Sequence, residues 1–223
     1  LLFVLSIAAS VAGFMAGFLG VGGGIIIVPA LYYAFTVLDF DIATRMHLSV
    51  GTSLAIIIPT SIISTKTHME YEAVDFKLIK SFGIFILLGV IGGTFLAVNL
   101  KTPAFVLFFS VMAFIVGLFF IFFREQLLKN PKMISEPAKN ISGIIIGFVS
   151  VLLGIGGGSL MVPFMRTFGY DIRRSIGTAA GVGFLIAVFG TITMITGGKI
   201  VDNVSTPFSF GYVNLLGFLV FVP

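Results

Sequence analysis

The chain has 223 residues, of which 58% are hydrophobic and only 10% charged, with 13 Lys/Arg, 9 Asp/Glu and a net charge of +4. A soluble domain carries about 25% charged residues because its surface faces water, so a soluble enzyme, a disordered regulator and a nucleic-acid-binding domain all fit poorly. Cysteine is absent and the histidines are His47 and His68 alone, which removes disulfides, thiol chemistry and histidine-rich metal sites.

Apolar segments run over 1–19, 25–38, 46–65, 81–98, 103–123, 141–153, 159–168, 175–195 and 209–223. About 20 apolar residues cross a hydrocarbon core. Segments 46–65, 81–98, 103–123 and 175–195 meet that length, and 1–19 is also long enough. Segments 25–38, 141–153 and 159–168 are too short alone. With 26 Phe and 27 Gly, the helices are greasy and able to pack closely through small residues.

The short segments flank two nearly identical stretches. Gly13-Phe14-Met15-Ala16-Gly17-Phe18-Leu19-Gly20-Val21-Gly22-Gly23-Gly24, trailing into Val28-Pro29, matches Gly147-Phe148-Val149-Ser150-Val151-Leu152-Leu153-Gly154-Ile155-Gly156-Gly157-Gly158, trailing into Val162-Pro163. Ser49-Val50-Gly51-Thr52-Ser53 is echoed by Ser175-Ile176-Gly177-Thr178-Ala179, and Val74-Asp75 by Val201-Asp202. Three matches in one order predict two copies of one unit. The first transmembrane repeat is 1–123, a basic cytoplasmic connection follows at 124–140, and the second repeat is 141–223, without a counterpart of 103–123. One further helix is expected from about 209.

Basic residues report how the copies are oriented. Twelve of the 13 fall between apolar segments and Arg166 falls near the end of one: Arg45; then Lys66, Lys77 and Lys80; Lys101; then Arg124, Lys129, Lys132 and Lys139; then Arg166, Arg173 and Arg174; and Lys199. Strict alternation of sides would put the group of four opposite the following three, against the positive-inside rule. If each pair of short segments is a re-entrant or discontinuous hairpin, ten basic residues fall inside and three outside. The copies are then inverted, an architecture of secondary transporters. The expected fold is an all-α polytopic membrane protein of two inverted repeats.

Consecutive glycines cost a continuous helix about 1 kcal/mol each, so Gly22-Gly23-Gly24 and Gly156-Gly157-Gly158 are expected to break their helices. Non-helical backbone at membrane depth must be buried or line a wet cavity. A new helix start there offers free N–H groups and a positive dipole end to an anion. Close packing is the competing reading, and it accounts well for Gly13…Gly17 and Gly89…Gly93. A nucleotide loop is rejected: no Lys-Ser/Thr follows the glycines, and Ile25 stands where a dinucleotide fold needs its third glycine.

Thr52, Ser53 and Thr178 lie near the starts of long helices and are candidate anion donors. The alternative for each is a bond to the carbonyl one turn back. In the Ser-Gly-Thr register His47 matches Arg173. A cationic donor at Arg173 suits an oxyanion oxygen, against plain positive-inside anchoring. His47 could titrate and couple proton movement, against an ordinary helix-start histidine at the interface. All nine carboxylates lie between apolar segments, which disfavours a cation transporter or a metal-dependent intramembrane enzyme. Asp75 and Asp202 are helix-cap candidates.

The doubled Gly-x-Gly-Gly-Gly with its trailing Val-Pro, and the later Gly-Thr-Ser/Ala, resemble the sulfite exporter (TauE/SafE-type) family of membrane permeases over almost the whole chain. The resemblance implies movement of sulfite, sulfoacetate or a related organosulfonate across the cytoplasmic membrane. It implicates Gly22, Gly23, Gly24, Gly156, Gly157, Gly158, Thr52 and Thr178. The expectation is therefore a multi-pass secondary transporter working by alternating access on a small anionic substrate, with no cofactor, metal or nucleic acid. A proton or Na+ is expected as coupling ion and a homodimer as assembly. An anion channel is the alternative. An intramembrane enzyme, with only Ser/Thr and Tyr candidates such as Tyr32 and Tyr33, stands further off.

Overall fold

The computed structural model describes residues 23–122, 135–200 and 206–221. Within them the helices are α1 (Gly24–Val37), α2 (Arg45–Glu70), α3 (Phe76–Asn99), α4 (Thr102–Phe122), α5 (Glu136–Leu152), α6 (Gly158–Thr167), α7 (Ile172–Ile200) and α8 (Leu215–Phe221). A two-residue antiparallel pairing, β1 (Ser209–Phe210) with β2 (Val213–Asn214), precedes α8. The last helix thus starts at Leu215 rather than near 209, because the chain turns at Gly211 with φ +54° and pairs back on itself first.

Helices α2, α3, α4 and α7 are long and apolar enough to cross a membrane. Helices α2, α3 and α7 overrun the apolar segments at both ends. Arg45, Lys66, Lys77, Lys80, Arg173, Arg174 and Lys199 consequently lie in outer helical turns rather than in connections. A helix satisfies its own backbone through the headgroup zone, and long basic side chains reach water from there. Likewise α5 begins at Glu136, inside the stretch expected as connection, with Pro137 in its first turn, where no intrahelical N–H bond is lost.

The outer helices expose apolar stripes. On α4, Leu107, Val111, Phe114, Leu118 and Ile121 are exposed, and on α3, Ile84, Leu88, Ile91 and Phe95. Both series step by three and four residues, one face of a helix turned to lipid. The opposite face of α3 buries Phe82, Ile86, Val90 and Ala97. There it meets α5 backbone to backbone: a Cβ on Gly89 would lie 2.1 Å from Ile144 O, and one on Gly147 2.1 Å from Ile86 O. Without a hydrophobic drive between helices in lipid, such close small-residue contact is what holds them.

Two ends of the bundle are defined by these contacts. At one end the start of α2 meets the end of α3, where His47 Nε2 donates to Ala97 O (2.9 Å), and the start of α4, where Thr102 Oγ1 donates to Ala43 O. The end of α7 joins them, with Tyr212 N donating to Met194 O at 3.4 Å. At the other end Arg174 pairs with Asp75 (2.7 Å), and Lys139 Nζ bonds Ser81 Oγ (3.1 Å). Arg45, Lys101 and Lys199 belong to the first end. Lys77, Lys80, Lys139, Arg173 and Arg174 belong to the second. Helix α5 runs inward from the second end and α6 returns toward it, where Arg166 Nη1 bonds Tyr170 O at 3.0 Å just before α7. Helix α1 runs the opposite way, toward the first end, where Arg45 Nη1 donates to Thr36 Oγ1 at 3.2 Å.

Candidate functional site: two abutting glycine motifs

The second glycine motif reverses the chain between α5 and α6. Gly154 has φ +60° and Gly157 φ +71°, left-handed conformations that a Cβ would strain. Upstream, Ile155 N donates to Ser150 O (2.9 Å) and closes α5. Downstream, Leu160 N and Met161 N donate to Gly157 O at 3.1 and 2.8 Å and open α6. Between them the N–H groups of Gly156, Gly157 and Gly158 donate to no group among the described residues, although all three glycines are buried. Three successive unpaired amides at a buried helix start carry partial positive charge.

Their depth follows from their neighbours. A Cβ on Gly156 would lie 2.9 Å from Ile57 Cγ2, and one on Gly157 2.5 Å from Ile186 Cδ1. Ile57 and Ile186 sit halfway along α2 and α7. The first motif arrives at the same place: a Cβ on Gly24 would lie 2.0 Å from Gly154 O, the carbonyl to which Ser53 Oγ donates at 2.8 Å. Gly23 caps α1 as Gly157 caps α6, and Pro29 and Pro163 are each the sixth residue of their helix. Gly22 lies outside the described residues.

Thr52 and Thr178 do something the sequence did not suggest. Thr52 Oγ1 accepts from Asn214 N (2.9 Å), and Asn214 Oδ1 caps α8 by accepting from Gly217 N (2.8 Å). Thr178 Oγ1 accepts from Asp75 N (3.0 Å), and Asp75 Oδ1 caps α3 by accepting from Leu78 N (3.0 Å). The preceding glycines repeat the pattern: a Cβ on Gly51 would meet Tyr212 O at 2.2 Å, and one on Gly177 would meet Ala73 O at 2.5 Å. Ser49 and Ser175 each return to the carbonyl four residues back, at 2.8 Å. Each Ser-x-Gly-Thr is thus a clasp by which a long helix of one sequence copy grips the helix cap of the other. The counterpart of Asp75 in this clasp is Asn214; Asp202 lies outside the described residues.

His47 is buried, its Nε2–H donating to Ala97 O, with Phe105 edge-on at 5.1 Å and Tyr212 stacked at 4.8 Å between ring centroids. It is therefore interior to the first end rather than at an open interface. Arg173 is exposed, its N–H bonded to Asp171 Oδ2 (2.9 Å), and stands ten residues before Gly183, about 15 Å along α7. Gly183 is the α7 residue beside Gly156, so the structure does not bring Arg173 to the breaks. Burial raises the Asp75 carboxyl, but bonds from the Leu78 and Lys77 amides and the Arg174 guanidinium hold it below the usual aspartate value. Among the described residues no three His, Asp or Glu side chains gather to hold a metal ion.

Three residues of this region were not singled out from sequence. Asn214 and Tyr212 sit in a hairpin whose pattern read as helix. Ser150 is fully buried in the last turn of α5, its Oγ 3.6 Å from where a Cβ on Gly157 would be. Its signal was present in the motif itself, since the matching position of the first copy is Ala16.

A helical bundle with four helices long and apolar enough to cross a membrane, and with short helices that start at glycine motifs buried among them, is that of a polytopic membrane protein. The family of sulfite exporters TauE/SafE matches residues 5–223, and the chain belongs to that family. A probable membrane transporter protein of Haemophilus influenzae is 30% identical over 94% of this chain and 79% of its own length. A probable membrane transporter protein of Methanocaldococcus jannaschii is 28% identical over 96% and 79%. The Bacillus subtilis probable membrane transporter protein YunE is 27% identical over 88% and 79%. No solved structure matches the chain. The protein is a multi-pass transporter of the cell membrane and not an enzyme.

Proposed function

We propose that this transporter moves a small sulfur-containing oxyanion, sulfite, sulfoacetate or a related organosulfonate, by alternating access about the paired glycine breaks. The observation that carries the reading is Gly24 set against Gly154 beside Ser53, with the amides of Gly156, Gly157 and Gly158, unpaired among the described residues, running on from there toward the middle of α2 and α7. Backbone dipoles fixed in a low-dielectric site bind an anion without the desolvation cost of a buried counter-charge. In support of inverted repeats, α1 leads from the breaks to one end of the bundle and α6 to the other. The two Thr clasps, one near each end, join the copies where an opening toward either side would have to part them. Each copy would rock against the other about the breaks.

Purified protein in liposomes tests this with radiolabelled sulfite and sulfoacetate. Saturable uptake above that of empty liposomes is expected for at least one of them, and Gly157→Ala should reduce it severely. Uptake equal to empty liposomes for both would remove the reading.

A further inference from the structure

Resting on that reading, we infer that Ser150 is a substrate-binding residue and that the ion is held as a monoanion at the second copy's break. A helical serine ordinarily donates to the carbonyl one turn back, as Ser49, Ser110, Ser142 and Ser175 do. Ser150 Oγ is fully buried and has no hydrogen-bond partner among the described residues. It stands 3.6 Å from the Cβ position of Gly157, beside the three amides that are equally unpaired. A buried hydroxyl without a partner destabilises the empty protein. An oxyanion accepting from that hydroxyl and from the amides satisfies all of them together.

The site is one-sided. Ser150 and Ser159 flank the second break, where the first copy has Ala16 and Ile25. The Ser150 hydroxyl therefore serves one break, and the first copy contributes Gly24 and its helix start as a wall.

The charge of the ion follows from what surrounds it. Ile57, Val182 and Ile186 line Gly156 and Gly157, and the nearest part of α7 that carries guanidinium groups is the exposed turn at Arg173 and Arg174. The cost of desolvating an ion rises with the square of its charge. Amide and hydroxyl dipoles offset one negative charge and leave a second uncompensated. The site thus takes a single negative charge, that of hydrogensulfite, a monosulfonate or the sulfonate end of sulfoacetate, and rejects a compact dianion such as sulfate.

Sulfite flux into liposomes, measured against methanesulfonate (a monoanion) or sulfate (a dianion), tests both parts. Methanesulfonate should compete and sulfate should not. Ser150→Ala should raise the apparent KM for sulfite and the inhibition constant of methanesulfonate about 10-fold, the usual weight of a hydrogen bond to a charged group. Its ligand-free Tm should hold or rise, because an unpaired buried hydroxyl has gone. Ser150→Thr should restore much of the affinity, and Ser110→Ala, exposed on α4, should behave as wild type. A wild-type KM in Ser150→Ala, or a lowered Tm with unchanged anion affinity, overturns the role of Ser150. Competition by sulfate equal to that by methanesulfonate overturns the monoanion. Absence of any sulfite flux in the wild type removes the transport reading itself, and this inference with it.

Discussion

At the scale of single residues, the Ser-x-Gly-Thr clasps divide labour in a way that mutation can separate. Thr178→Val keeps the shape but leaves the Asp75 N–H without its acceptor, costing about 1–3 kcal/mol. Thr178→Ser keeps the acceptor and should cost little. Thr52→Val should cost a similar amount through Asn214, and the two losses should add, since the clasps share no partner. Thermal unfolding in detergent reads all four proteins. Glycine supplies the close approach: Gly177→Ala forces a Cβ to within 2.5 Å of Ala73 O, a contact only backbone movement relieves. It should destabilise by about 1–3 kcal/mol. Gly117→Ala, exposed on α4 with nothing near its Cβ, should stabilise by up to about 1 kcal/mol. Equal effects at the two glycines would sink the close-approach account. The recurrence of Ser, Gly and Thr was visible in the sequence, but what they grip was not. Asn214 lies 162 residues from Thr52 and is amide where its counterpart Asp75 is acid, so no local pattern joins them.

Between elements, the two clasps differ in one respect: the α3–α7 clasp adds the Asp75–Arg174 ion pair. The Asp75 carboxyl is held below its usual range. A carboxylate with a depressed folded pKa contributes stability that is present above the unfolded value and lost as pH falls through the folded one. The wild type should therefore lose this increment only in acid, below the ordinary aspartate range. Arg174 is 54% exposed, so the pair is worth no more than about 1 kcal/mol. Asp75→Asn keeps the cap on Leu78 N, copies the chemistry of Asn214, and should flatten the acid limb of Tm against pH at little cost near neutrality. An unchanged acid limb would mean that other carboxylates govern it. Element lengths were only partly legible. Hydropathy stops at the last apolar residue, whereas α2, α3 and α7 continue into charged turns because their hydrogen bonds are internal. The β1–β2 turn was hidden for the opposite reason: Phe208, Phe210, Tyr212 and Val213 are apolar enough to pass for helix, and φ values are not written in composition.

Across the whole molecule, the spacing of basic residues carried more of the architecture than any motif. Its order of one, three, one, four, three and one already separated two faces, and contacts between helices group the described residues the same way. The second glycine motif likewise marked where α5 gives way to α6, and the first where α1 starts, but not that Gly24 would meet Gly154, because long-range proximity depends on how α2 and α7 pack. Which face is cytoplasmic rests on the positive-inside rule, and the absence of cysteine lets it be tested on an otherwise thiol-free chain. Lys77 and Lys199 are both exposed, at opposite ends of the bundle. Lys199→Cys should react with a membrane-impermeant maleimide on intact cells, whereas Lys77→Cys should react only after permeabilisation. A proton-relay or lipid-facing explanation of the basic residues makes no such distinction between the two. Labelling of both from one side would break the two-ended grouping itself. A reversed pattern would keep the grouping and invert the chain in the membrane, so that the Asp75–Arg174 clasp closed the outer side instead.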